Sequence, residues 1–487
     1  MPFFLIQTLG CKLNQLESEA IADAFTQAGF EKLRIKEEFY HKWNLQFLHE
    51  QIKEKKNNKT EPKIIIINTC TVTSKADQKA RRIIRKALID YPEAAVIVTG
   101  CYAELNKDDI LKLQTGAVNR LHVVNKKDIF SLPDFIKKSG IINDEFPSFD
   151  FSLPSSGLQF QFNPKRFSSH TRSFLKIQDG CDKNCTYCKI RLARGKSVSL
   201  EADEVLKRLR VLEENHAEVV LTGVNISQYK DQRREKNFTT NQHEQEEKNV
   251  FYLSELLDYL LAGTEKIAIR LSSLAPESID EKLCAVLSHP RIRPHFHLSV
   301  QSCSDKILEK MGRGYSGETV KKAVELLRSV KNDPFIACDI ITGFPGETEA
   351  EFEETFNICR QLDFAWIHVF PFSKREGTPA FSFKGNVMES EVTRRVELFT
   401  ELAMQGKTEY VKRWLGKEVD VLMENKVQTS AVGKITARNV IFGTSQNYLK
   451  VMLVCDSKIP AAGSVVRCKL AEEGISKDFD VIAHEEK

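Results

Sequence analysis

The stretch FLKIQDGCDKNCTYCKI, Phe174 to Ile190, decides the fold of the larger part of this chain. A short strand pattern (Phe174–Ile177) leads directly into Cys181, Cys185 and Cys188, spaced C-x3-C-x2-C. Three thiolates in that spacing can hold three irons of a [4Fe–4S] cluster and leave the fourth iron open to a ligand. A three-cysteine zinc site with a distant fourth ligand is the alternative, but zinc ribbons pair C-x2-C units and no second pair exists here. The order of strand first and thiols immediately after matters, because βα folds gather their chemistry at the carboxyl ends of strands.

The same alternation repeats downstream. EVVLTG, IAIRLSS, HFHLSV, FIACDIITGF and WIHVFPF each precede a helical stretch. With Phe174–Ile177 they make six βα units and predict a partial (β/α)6 barrel over 171–400. The run Asp231–Asn249 has almost no apolar residues and is predicted to be an inserted loop. Residues 141–170, rich in Pro, Ser and Phe from Phe146 on, lack a helical period and are predicted to be a linker. A helix from Glu389 to Trp414 stops at Gly416, with 401–416 as a connector. The short strand runs over 417–487 predict a small β-barrel.

Residues 1–140 also alternate strand and helix: Phe3–Thr8, Lys63–Asn68 and Ala94–Val98 read as strands, with Gln15–Ala28, Lys75–Ile89 and Asp108–Gln114 as helices. Strands apolar throughout and separated by helices predict a doubly wound parallel sheet. The charged stretch 31–62 is predicted to be an insertion. Cys11 in TLGCKLNQLESEA follows the first strand, Cys70 in INTCTVTSKAD the second and Cys101 in VTGCYAEL the third. All three are thereby predicted at the sheet's carboxyl edge, where such folds bind ligands. The readings are a second three-cysteine cluster, a redox pair, or unrelated buried thiols.

The totals agree with a soluble globular protein: 41% hydrophobic and 28% charged residues, net charge +4, 487 residues. No apolar run approaches about 18 residues and no leader pattern opens the chain, which predicts a cytosolic protein without a membrane span. Twelve cysteines in such a chain point to metal or redox chemistry before disulfides. Cys284, Cys338, Cys359, Cys455 and Cys468 lie in apolar patterns and are read as core residues, and Cys303 stands beside a strand end. Cations cluster on Lys75–Lys86, with Lys434, Arg438 and Lys450 in the tail; each is read either as an RNA contact or as part of a solvated face.

The barrel motif resembles the radical S-adenosylmethionine (SAM) enzymes, and the two cysteine triads together resemble their methylthiotransferase family over the whole chain, with a tail like the TRAM RNA-binding module. Within it, TLGCKLNQLESEA resembles the bacterial branch acting on tRNA threonylcarbamoyladenosine. The isopentenyladenosine branch tends to carry Met–Asn after the cysteine and the ribosomal-protein branch Pro–Lys–Asn; Lys12 and Asn14 separate this chain from both. The resemblance implies two [4Fe–4S] clusters, on Cys181, Cys185 and Cys188 and on Cys11, Cys70 and Cys101. It places Gly223 and Asn225 near the SAM amino group, Arg270, Ser272 and Gln301 near its methionyl and ribose portions, and Gly343 against the adenosine. For Arg270 a core ion pair is an equal reading.

The implied reaction is 2-methylthiolation of adenosine beside the anticodon, one SAM giving the methyl group and a second, cleaved at the barrel cluster, the radical that removes hydrogen from the adenine carbon. The implied partners are the tRNA anticodon stem-loop, an electron donor and a sulfur donor. An isopentenyladenosine or ribosomal-protein aspartate substrate is the alternative within the family, and an RNA-binding Fe–S protein the non-catalytic one. The family usually shows an Ile and a Pro before ARG, whereas here the run is KIRLARGKSVS with Lys189 and Arg191, and a second arginine expected near Val198 is missing. These residues are expected to face substrate.

Overall fold

Ile64 to Ile67, four consecutive β-branched and buried residues, can be accommodated only by a strand covered on both faces. In the computed structural model of the chain, which describes residues 2–33, 61–114, 119–131, 160–161, 163–164, 172–232, 250–429, 439–455, 459–476 and 479–485, they form the centre of a parallel sheet. By its internal contacts the chain divides into two compact units, Met1–Ser168 with Cys188–Lys196, and Ser169–Tyr187 with Ser197–Lys487.

In the first unit β1 (Phe3–Thr8), α1 (Lys12–Gln27), β2 (Glu31–Lys32), β3 (Pro62–Thr69), α2 (Ser74–Asp90), β4 (Ala95–Gly100), α3 (Cys101–Leu105), α4 (Lys107–Leu111) and β5 (Leu121–Val123) follow in order. The sheet order is β2-β1-β3-β4-β5, parallel throughout, as expected for a doubly wound domain. Ile83, Ile84, Ala87 and Leu88 of α2 pack on one face with Ile65 and Ile67; Ile21 and Phe25 of α1 pack on the other with Ile64 and Ile66. The expected insertion near 31–62 lies mostly outside the described residues, as does most of the linker. A short helix, α5 (Ile190–Arg194), belongs to this unit by contact although it follows the barrel motif in sequence.

The second unit carries β6 (Ser173–Lys176), β7 (Gln178–Asp179), β8 (Val198–Ser199), α6 (Ala202–Glu213), β9 (Glu218–Thr222), a two-residue pairing of β10 (Asp231–Gln232) with β11 (Val250–Phe251), α7 (Leu253–Ala262) and β12 (Ala268–Leu271). There follow α8 (Glu281–Leu287), β13 (His295–Gln301), α9 (Asp305–Met311), α10 (Gly317–Val330), β14 (Phe335–Thr342), α11 (Glu349–Gln361), β15 (Trp366–Pro371) and α12 (Glu389–Trp414). The sheets β12-β9-β6 and β13-β14-β15 are parallel, and parallel bridges at Ile269–Ile292 and Leu274–Leu298 join them. Among the described residues no ladder joins β15 to β6, so the six strands make the expected partial barrel.

Strands β16 (Glu418–Thr429), β17 (Asn439–Ser445), β18 (Lys450–Cys455), β19 (Val465–Glu473) and β20 (Val481–Glu485) close a five-stranded barrel. Its interior is continuous with the larger barrel: Val419, Val421, Leu453 and Leu470 share one core with Tyr410 and Trp414 of α12 and Phe335 of β14. The stretch read as a connector is therefore the last part of one long helix, and its apolar face belongs to the tail's own core.

Arg270 sits on this boundary. Its guanidinium, with no solvent exposure, donates to Glu218 at 2.7 and 3.0 Å and to the Ser445 carbonyl at 3.3 Å. Arg293 reaches the same carboxylate at 2.9 Å. Glu218 opens β9 at its amino end, so this cluster lies away from the strands' carboxyl ends, and the ion-pair reading of Arg270 is the arrangement present. Burial pushes the Glu218 carboxyl up, but Arg270, Arg293 and Arg172 outweigh it and hold it at about 2.

A carboxyl depressed below its ordinary value of 4.5 contributes stability that is fully present above that pH and is lost as the pH falls toward 2. Arg270→Met should cost roughly 1–3 kcal/mol, because it removes two charge-assisted hydrogen bonds from buried Glu218, which keeps Arg293 as a partner. Pairing it with Glu218→Gln should recover part of that loss. An unchanged urea midpoint for Arg270→Met would remove the ion pair from the account of stability.

Candidate functional site

Two groups of thiols stand at the carboxyl ends of parallel strands, one in each sheet system. In the first unit Gly10 takes a left-handed φ of +106°, and a Cβ there would lie 2.5 Å from Cys70 Cβ and 2.7 Å from its Sγ. Gly100 (φ +95°) is as constrained, since a Cβ would meet the Thr69 carbonyl at 2.3 Å. These two glycines let the ends of β1, β3 and β4 approach so closely that the residues beyond them converge. Cys11 is exposed at the start of α1, while Cys70 and Cys101 are buried.

The convergence shows in the chemistry of Cys70. Its thiol is pushed up to about 12, first by burial and then by Cys11 and Cys101 close by, while a backbone hydrogen bond at Val72 and the Arg194 charge pull it back. Asn14, fully buried, fixes the turn: its Nδ2 donates to the Leu9 and Thr69 carbonyls at 2.8 and 2.9 Å, and its Oδ1 accepts from Arg194 at 3.2 Å and from Cys11 Sγ at 3.7 Å. The sequence singles out Asn14 as a marker of substrate branch; in the fold it holds the thiol-bearing loops together.

In the second unit Cys181 and Cys185 follow β7, and Cys188 opens the segment that travels with the first unit. Burial raises the Cys181 thiol and Cys185 raises it further, against the Lys183 backbone, the Asn225 side chain and Arg313, which favour the thiolate. Arg313 Nη1 lies 3.4 Å from Cys185 Sγ, and its Nη2 donates to the Ser299 carbonyl at 3.0 Å. The loop before Cys188 docks on the end of α9: the Thr186 amide donates to the Met311 carbonyl at 2.9 Å and its hydroxyl to the Lys310 carbonyl at 2.8 Å. Beyond the loop, the Ile190 amide points at Cys188 Sγ, 3.4 Å away.

Gln178 ties this end of the barrel together. Fully buried, it donates to the Asp179 and Gly180 carbonyls and to Ser197 at 2.8–3.0 Å, and accepts the Asn225 amide at 2.9 Å. Gly223 is required because a Cβ there would lie 2.9 Å from the Gln178 carbonyl and Oε1. Ser272 directly follows β12 and Gln301 ends β13, Gln301 with a left-handed φ of 66°. Gly343 ends β14, but its amide donates to Glu347 at 2.5 Å and a Cβ would strike Val392 of α12 at 2.5 Å. The protein itself thus demands a glycine there.

Sequence reasoning missed Gln178, Arg313 and a polar trio on adjacent strands, His297, Asp339 and His368. His297 Nε2 lies 3.0 Å from Asp339 Oδ1, and the two imidazoles stack with centroids 5.2 Å apart. Alternation places all three on one face of the sheet, with no spacing motif to announce them. On α2, Lys75, Lys79, Arg82 and Arg85 are exposed opposite its apolar face; Lys434 and Arg438 lie outside the described residues.

Among the described residues no three His, Cys, Asp or Glu side chains are close enough to share a single metal ion. A cubane cluster has a different demand, since each thiolate binds its own iron.

A family model described as the radical SAM superfamily matches residues 175–359, and one described as uncharacterized protein family UPF0004 matches 41–119. The chain is 36% identical over 532 residues to the threonylcarbamoyladenosine tRNA methylthiotransferase MtaB of Treponema pallidum, covering 96% of this chain and 98% of that protein. It is 32% identical to the protein of the same name from Thermotoga maritima, covering 96% and 95%. The chain belongs to the radical SAM methylthiotransferase family. The tRNA-2-methylthio-N(6)-dimethylallyladenosine synthase of Anaplasma marginale, at 28% identity, covers 96% of this methylthiotransferase chain and 94% of its own length. Membership brings SAM and a [4Fe–4S] cluster as cofactors. Among the described residues no helix is long and apolar enough to cross a membrane.

Gln178→Ala should cost about 1–3 kcal/mol by leaving buried backbone groups unpaired. It should also weaken SAM binding, read by equilibrium dialysis of the reconstituted enzyme. Unchanged SAM affinity would restrict Gln178 to stability.

Proposed function

We propose that the chain catalyses 2-methylthiolation of N6-threonylcarbamoyladenosine next to the anticodon of tRNA, in the cytoplasm, with an electron donor and a sulfur donor as further partners. The observation that carries the proposal is the convergence of Cys11, Cys70 and Cys101, separate from the C-x3-C-x2-C motif. A radical SAM enzyme needs one open-iron cluster; a second thiol triad fits a second cluster, for sulfur. When bound, the barrel cluster supplies one-electron cleavage of SAM and the amino-terminal cluster a place for sulfur, chemistry beyond side-chain acids and bases.

The chain's own residues do the holding. Cys181, Cys185 and Cys188 would ligate the barrel cluster, with Arg313 and Asn225 compensating the thiolate charge. Gly223, Ser272 and Gln301, at three successive strand ends, would border SAM. Gly343 and Arg270 have other structural duties and are not assigned to it. The exposed cations of α2 would track the tRNA backbone.

The threonylcarbamoyl substrate is supported by the names of the Treponema and Thermotoga relatives, and by chemistry near the motif. That substrate carries a carboxylate where isopentenyl is apolar, so its pocket needs a cation or several donors. Lys189 and Arg191, half-buried at the start of α5, supply two.

Anaerobically reconstituted protein should hold about eight irons, and Ala at Cys181, Cys185 and Cys188 should leave about half. A triple variant with the full complement, or a folded one with none, rules out two clusters. Purified enzyme should convert threonylcarbamoyl-tRNA and ignore isopentenyl-tRNA, read by nucleoside mass spectrometry. Lys189→Met should raise KM roughly ten-fold or more while SAM cleavage is nearly unchanged. Comparable turnover of isopentenyl-tRNA assigns the other branch.

A further inference from the structure

Beside the amino-terminal thiols lies a charge cluster that the sequence does not announce. Glu17 of α1 is 2% exposed and receives two cations. Arg194 of α5, its side chain equally buried, donates to Glu17 Oε1 at 2.9 Å. Lys126, just past β5, sits 3.1 Å from both Glu17 oxygens. The same ammonium lies 3.5 Å from Cys101 Sγ, and the Lys126 amide is anchored on Glu104 at 2.5 Å. Arg194 in turn acts on Cys70, favouring its thiolate. Lys126 thus binds Glu17 with one side of its ammonium and faces the Cys101 thiol with another.

We propose that Lys126, supported by Arg194 and Glu17, is the positioning residue of the amino-terminal site for a small anionic sulfur species such as hydrosulfide. The proposal rests on the reading that Cys11, Cys70 and Cys101 hold a [4Fe–4S] cluster. A cluster ligated by three thiolates is already anionic, and a hydrosulfide on its open iron adds a further negative charge in a partly buried place. Charge of that kind must be balanced locally, because the low-dielectric surroundings strengthen repulsion as much as attraction. An ammonium that donates to a ligating sulfur provides the balance, and N–H···S contacts and net charge are among the factors that set a cluster's reduction potential. Glu17 keeps the two cations from repelling one another and aims Lys126 at Cys101.

The test uses the full chain with Cys181→Ala, Cys185→Ala and Cys188→Ala, so that any cluster is the amino-terminal one. Adding Lys126→Met should leave the iron in place, lower the midpoint potential and weaken binding of hydrosulfide, titrated by electron paramagnetic resonance, by roughly ten- to hundred-fold, the range for one charge-assisted contact. Lys126→Arg should restore both. Glu17→Gln, which removes the balancing carboxylate, should move the potential the opposite way, a sign that mere loss of packing does not produce. An iron-free parent overturns the cluster reading and this proposal with it. An iron-loaded parent whose potential and hydrosulfide affinity ignore Lys126→Met overturns this proposal alone, as does loss of iron from Lys126→Met and Lys126→Arg alike.

Discussion

Parallel strands end on one edge. A strand can return parallel to its neighbour only through a crossover, so every loop leaving a carboxyl end emerges on the same side of the sheet. The chemistry of this chain depends on that constraint. Cys11, Cys70 and Cys101 are far apart in sequence and lie just past β1, β3 and β4, which are immediate neighbours in the sheet. Convergence of their thiols follows from strand order, and Gly10 and Gly100 give the backbone the conformations that close approach requires. Cys181 and Cys185 follow a strand of the barrel for the same reason, with Gln178 binding the ends of two strands into one rim.

Holding these side chains as thiolates at such an edge creates a second requirement, for positive charge. The fold meets it with long cationic side chains brought from other loops: Arg313 near Cys185, and Lys126 and Arg194 near Cys101 and Cys70. Glu218 with Arg270 and Arg293 uses the same ion pairing at the opposite end of the strands, where it joins β9 to β12 and to the tail barrel. Identical side-chain chemistry therefore has different consequences according to which end of a strand it occupies.

That contrast explains what was legible in the sequence. Strands and helices were readable because their signal is local: Ile64–Ile67 or the apolar positions of α2 need no knowledge of the rest. The positions of the six cysteines past strand ends were readable because each is a short step in sequence from a strand. Arg270 was ambiguous because its direction depends on Glu218, 52 positions away in sequence. Gly343 invites a ligand reading for its flexibility, yet its neighbour is Val392. Lys126 and Arg313 carried no signal, since their worth lies in contacts with residues 109 and 128 positions away. Local periodicity reports elements; tertiary electrostatics leaves no period.

The helix α12 shows how the second unit joins its parts. At its amino-terminal half Arg395 pairs with the buried Glu347, whose carboxylate receives the Gly343 amide at the end of β14. Burial raises that carboxyl, against the pull of the Gly343 amide and Arg395. At its other half Tyr410 and Trp414 enter the core of the tail barrel, and Tyr410 is held by Asn447 at 3.1 Å. Twenty-six residues at about 1.5 Å each span roughly 39 Å. One helix thus fixes both the loop that follows β14 and the five-stranded tail barrel. Neither end of α12 can slip without breaking the buried Arg395–Glu347 ion pair or opening the core shared with the tail barrel.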